Sequence, residues 1–144
     1  MPKSTSKDAT APTAQRIWIA RALIALVFAI NVQCALQFIL WPDAFTAAYQ
    51  VEGASAEVVV RTVGICFLMW NATYPPVIVQ PDRFRVLFGV VIAQQVIGLV
   101  GESLLLVGLQ PGLEVLASSI IRFVVFDAAG LTLLTIAFLL SCKK

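Results

Sequence analysis

Four ionisable side chains, Arg61, Glu102, Arg122 and Asp127, stand inside stretches that are otherwise aliphatic and aromatic. Charges in such surroundings are costly, and where they occur they generally face a cavity or a transport pathway. Glu102 and Arg122 have opposite charges and could pair, with Arg61 completing a triad. Asp127 could carry a proton. The amides of Gln37, Asn71, Gln94 and Gln95 could hydrogen-bond a bound molecule. Two thiols, Cys34 and Cys66, could exchange electrons with a quinone, although lone cysteines in apolar helices are usually small packing residues.

The composition sets the solvent for this chemistry. Of 144 residues, 60% are hydrophobic and 12% charged, and mean hydropathy is +0.92. A soluble domain of this size is about half apolar and a quarter charged. One small core cannot hide such an excess, so the surrounding medium must be lipid. There is no histidine, which removes the usual haem ligand, the commonest zinc ligand and the default general base. No metal site is expected. The net charge of +2 is spread over isolated basic residues, which gives no clustered face for nucleic acid.

The elements that must position these groups are four apolar segments, 17–41, 58–79, 84–109 and 113–140. Each suffices for a crossing of roughly 20 residues. Residues 1–15 are polar, small and proline-containing, and are expected to be disordered. The run from 17 to 41 exceeds the roughly 7–15 residues of a signal-peptide core, so it reads as a retained helix. Residues 16–144 then form one all-α domain, a four-helix membrane bundle. Tyr74, Pro75 and Pro76 should end or kink the second helix.

Basic residues flank the first segment (Lys3, Lys7, Arg16, Arg21), sit between the second and third (Arg83, Arg85) and close the chain (Lys143, Lys144). The positive-inside rule then puts both termini in the cytoplasm. The connection 41–57 falls outside; its Trp41, Phe45 and Tyr49 suit the headgroup layer, and Phe45, Ala48, Tyr49 and Glu52 share a helical spacing. The reading favoured for this connection is an interfacial anchor, with a lid over a pocket as the alternative.

At ~1.5 Å per residue, Arg61 and Gln37 are shallow and Glu102 and Arg122 lie roughly 10 Å from the outer face. Asn31, Asn71, Gln94, Gln95 and Asp127 fall near the midplane, while the inner half is apolar apart from Thr132 and Thr135. Arg122 and Asp127, five residues apart, point ~140° away from each other on a helix, so each must look to another helix. Glu102 matches Arg122 in depth and sign, and that pair is expected. Asp127 has only amides at its level, and these do not favour an ionised carboxylate. Three stripes should face the bundle interior: Gln95, Gly98 and Glu102; Arg61, Gly64, Leu68 and Asn71; and Gln33 with Gln37.

The exit of the first helix ("LQFILWPDAFTAAYQVEG"), the opening of the second ("RTVGICFLMWN") and the close of the third ("IGLVGESLLLVGL") resemble the DoxX-like superfamily of small bacterial four-helix membrane proteins. The resemblance implies a multi-pass protein of the bacterial inner membrane. It also implies proximity to quinone and to complex partners, since some members are associated with thiosulfate:quinone oxidoreduction. Small multidrug transporters, also four-helix proteins, are less similar, because their essential carboxylate is on the first helix. The leading expectation is non-enzymatic: an outward-opening polar pocket for a quinone- or lipid-like molecule, in contact with membrane lipids, in a complex or a homo-oligomer. A proton-coupled transporter using Asp127 and a thiol or quinone electron-transfer accessory are the alternatives.

Overall fold

The computed structural model describes residues 14–142, and among these all regular structure is helical. The order is α1 (Ala14–Leu40), α2 (Asp43–Thr46), a 3-10 turn (Ala47–Tyr49), α3 (Ala54–Asn71), α4 (Tyr74–Val79), α5 (Arg85–Val107) and α6 (Glu114–Cys142). Ala14 and Gln15, expected to be disordered, belong to α1. Residues 1–13 of that segment lie outside the described residues, as do Lys143 and Lys144.

Among the described residues, α1, α3 with α4, α5 and α6 form four spans long and apolar enough to cross a membrane. No more than 22% of any span is buried inside the molecule. Ile97, Leu104 and Val107 on α5 and Val125 on α6 are all exposed. Helices apolar on their outer as well as their inner faces need lipid as cover, so the chain is a helical membrane bundle.

Helix α1 is the centre of this bundle. It packs against α3, α4 and α6, while α5 packs against α6 and α4. Helix α3 has no comparable packing on α5 or α6. The reason is the break in the second span. Pro75 and Pro76 have no N–H to give to the carbonyls of Asn71 and Ala72, so an unbroken hydrogen-bond ladder is impossible there. Instead α3 ends at Asn71, and α4 starts afresh with the prolines in its first turn, where a missing donor is harmless.

The apolar core lies in the half of the bundle that carries the termini. Ile24, Val27, Tyr74, Val77, Phe88, Val91 and Leu134 are buried there together. Thr132 and Thr135 need no partner on another helix, because their hydroxyls donate to the carbonyls of Ala128 (2.9 Å) and Leu131 (2.7 Å). In the other half, α1 and α3 approach closely at Gly64. A Cβ at that position would lie 2.8 Å from the Ala35 carbonyl oxygen and 2.8 Å from the Phe38 Cβ.

The connection after α1 packs on the end of the bundle as a roof along part of its length. Trp41 is exposed, as an interfacial ring should be. Phe45 and Tyr49, in contrast, turn inward onto Phe38, with ring centroids 4.6 and 5.9 Å away. The helical spacing does not extend to Glu52, because Gln50 takes a left-handed conformation (φ 51°) and ends the turn. The N–H of Val51 donates to Thr46 O (3.1 Å) and that of Gln50 to Ala47 O (3.1 Å), the Schellman pattern usually closed by glycine. Gln50 serves because its side chain reaches the α5–α6 turn. Its Nε2 donates to Gly112 O (3.3 Å), and its Oε1 accepts from Leu116 N (3.0 Å) in the first turn of α6.

The Gly64 contact is directly testable by thermal unfolding in mild detergent. Gly64→Ala should destabilise the protein by about 1–3 kcal/mol, since backbone must move to admit the methyl group. Gly89→Ala, where a Cβ meets nothing within 4 Å, should be neutral or gain up to about 1 kcal/mol of helix propensity. Equal responses at the two sites would refute the close α1–α3 approach.

Candidate functional site

A cavity of about 180 Å³ lies between the helices in the half of the bundle under the roof. Helix α1 lines it with Ile30, Asn31 and Cys34, and the second span with Phe67, Trp70, Asn71 and Tyr74. Helix α5 contributes Gln95, Gly98 and Glu102, and α6 contributes Arg122, Phe123, Phe126 and Asp127. Each set falls within one arc of its helix, the second span's at 0, +3, +4 and +7.

The deep end is an oriented hydrogen-bond chain. The Tyr74 hydroxyl donates to Gln95 Oε1 (3.4 Å), and Gln95 Nε2 donates to Asp127 Oδ1 (2.8 Å) and to the Asp127 carbonyl (3.4 Å). Gln95 is buried, and this chain uses both ends of its amide. Two glycines make room for it. A Cβ on Gly98 would sit 2.5 Å from Asp127 Oδ2, and one on Gly130 would sit 2.9 Å from Gln95 Nε2.

Of the residues expected to form the site, Asn71, Gln95, Glu102, Arg122, Asp127 and Cys34 are brought together. The expected ion pair is not made in the predicted form. Glu102 Oε2 is buried without a hydrogen-bond partner, whereas Arg122 is exposed and its Nε donates to the Ser118 carbonyl at 3.4 Å. The guanidinium folds back one turn towards the start of α6, as long basic side chains do near a membrane surface. Both groups face one cavity, but they do not neutralise each other.

Gln94 lies one residue, ~100°, round from Gln95 and is outside the lining. Its Oε1 is 3.0 Å from the Thr73 hydroxyl, which is also 3.0 Å from Trp70 O, so it ties the break in the second span to α5. Arg61 is exposed and also outside the lining. The buried face of α3 runs through Ala56, Val60, Gly64 and Asn71, which turns Arg61 and Leu68 outwards. On α1 the inward face is that of Asn31, Cys34, Ala35 and Phe38, so Gln33 is exposed and Gln37 does not reach the cavity. Cys66 is exposed and outside the lining, so the cavity holds one thiol, Cys34.

The aromatic walls were the missed component. Phe67, Trp70 and Tyr74 share the arc of Asn71, and Phe126 neighbours Asp127, a spacing that could have revealed them. Above them, burial and then the nearby Cys34 and Glu102 push the Tyr49 phenol up to about 12, so this roof hydroxyl keeps its proton at neutral pH.

No protein-family model, curated protein or solved structure matches the chain.

The contact between Gly98 and Asp127 is a sharp test of that geometry. Gly98→Ala should push the carboxylate off Gln95 and cost about 1–3 kcal/mol in thermal stability. In an Asp127→Ala background the same change should cost at least about 1 kcal/mol less. Strict additivity in this double-mutant cycle would show that residues 98 and 127 do not meet.

Proposed function

We propose that this chain is a DoxX-like multi-pass protein of a bacterial inner membrane, with both termini cytoplasmic. Its pocket binds the head group of a quinone- or lipid-like amphiphile, and the protein acts as a binding protein, alone or within a membrane complex, and not as an enzyme. One observation carries this reading. The cavity combines aromatic walls with two buried acceptor atoms, Asn71 Oδ1 and Glu102 Oε2, that have no hydrogen-bond partner. Buried polar atoms are nearly always satisfied, so an intramembrane cavity that gathers two such atoms is suited to a ligand. Its 180 Å³ is below the roughly 300–1,000 Å³ that encloses a whole drug-sized molecule. A head group fits, and the apolar remainder would extend towards lipid.

The orientation is supported by the basic flanks at the termini and between the second and third spans. On that reading the roof over the cavity faces the periplasm.

Cys34 is a built-in reporter of occupancy. With Cys66 and Cys142 changed to serine, a membrane-permeant maleimide should label Cys34 slowly in native membranes. Labelling should accelerate at least threefold after lipid-stripping purification, and native mass spectrometry should show a bound mass lost in the same step. Unchanged labelling and no bound mass would overturn the pocket reading. Topology is checked separately by a single cysteine placed at Glu52 in a cysteine-free background. It should react with a membrane-impermeant maleimide in intact cells, and reaction only after cell lysis would reverse the orientation.

A further inference from the structure

The buried polar atoms of the cavity are unbalanced in kind. Asn71, only 4% exposed, spends its Nδ2 on the Phe67 carbonyl (2.8 Å), and its Oδ1 is left without a partner. Gln95, 5% exposed, spends its Nε2 on Asp127 and its Oε1 on Tyr74. Gln95 thus spends its Nε2 on two acceptors inside the protein, and Asn71 spends one of its two N–H groups there. The atoms left over, Asn71 Oδ1 and Glu102 Oε2, are acceptors. A ligand N–H or O–H would satisfy them; a ligand carbonyl or ether oxygen would add a third acceptor to the same space. The faces of Phe67, Trp70 and Phe126 in the wall suit an alkyl stem and also attract a cation. Arg122, also in the lining, is exposed, and its Nε is turned to the Ser118 carbonyl.

Resting on the pocket reading above, we propose that the site selects amphiphiles by the hydrogen-bond donors of their head group. An ammonium or a hydroxyl is bound in preference to an acceptor-only head group, and Asn71 Oδ1 and Glu102 Oε2 are the receiving atoms. Selection is by donor count as well as by charge, so a primary ammonium is distinguished from its fully methylated counterpart.

The chain carries its own probe. Of its three tryptophans, Trp18 and Trp41 are exposed and Trp70 lines the cavity. Trp18→Phe with Trp41→Phe leaves Trp70 as the sole emitter. This variant, in nanodiscs, is titrated with two matched pairs of probes: decylammonium against decyltrimethylammonium, and 1-decanol against decyl methyl ether. Saturable changes in Trp70 emission are expected, with the donor-bearing member of at least one pair tighter by roughly tenfold, about 1.4 kcal/mol. A preference in the first pair alone identifies an ammonium head group, and in the second alone a neutral hydroxyl; either supports donor selection. Glu102→Gln, which keeps the shape and replaces one acceptor oxygen by an amide nitrogen, should reduce the preference at least threefold. Saturable binding with equal affinities within both pairs would overturn donor selection while leaving the pocket reading intact. No saturable change with any probe would remove the pocket reading itself.

Discussion

The second membrane span cannot be a single helix, and the rest of the architecture follows from that constraint. In lipid every backbone group must find its partner within the protein, yet Pro75 and Pro76 remove two donors in succession near the end of the span. The chain answers by ending α3 at Asn71 and starting α4 at Tyr74. Helix α4 packs on α1 and α5, whereas α3 packs chiefly on α1. The bundle is therefore closed around an apolar core in the half that carries the termini, and less tightly closed in the other half. The cavity lies where α3 no longer follows α4 onto α5.

Tyr74 joins the two halves. Its ring belongs to the buried core with Val27, Val77 and Phe88, and its hydroxyl starts the chain through Gln95 to Asp127. Asp127 is thus held through a neutral amide and not by a cation. Such an arrangement fixes the side chain without an ion pair. The two glycines at 98 and 130 supply the space. Their role is steric and local: a methyl group at either would occupy the volume the carboxylate or the amide needs.

Much of this was legible in the sequence, for identifiable reasons. Segment length and hydropathy report directly on membrane-length helices, and all four were readable, with ends shifted by a few residues. The proline pair announced the break because its effect is covalent. The inward stripe Gln95, Gly98 and Glu102 was correct, because on α5 polar and small residues share one face and lipid-facing aliphatics occupy the other. The stripe through Arg61 and Leu68 was not. On α3 the packed face is set by Gly64 against Ala35 and Phe38, and a polar side chain near a helix end can reach the surface instead of the interior. The aromatic walls stayed hidden because phenylalanine and tryptophan suit lipid, core and cavity equally well in composition.

The same distinction explains why opposite charges at equal depth did not make a pair. Depth follows from residue count, but pairing requires two side chains to converge. Arg122 is long enough to turn back along α6 to the Ser118 carbonyl, where its charge stays near the more polar end of the bundle. Glu102 is too short to follow it. For an intramembrane site this separation has a consequence. A closed pair would satisfy its own hydrogen bonds, whereas the acid held apart from its counter-ion leaves one buried oxygen without a partner. The buried acceptor on Asn71, on the second span, leaves the same need in a neutral group. Their agreement in kind, from different helices and different chemistries, supports the proposed ligand binding more than either group does alone.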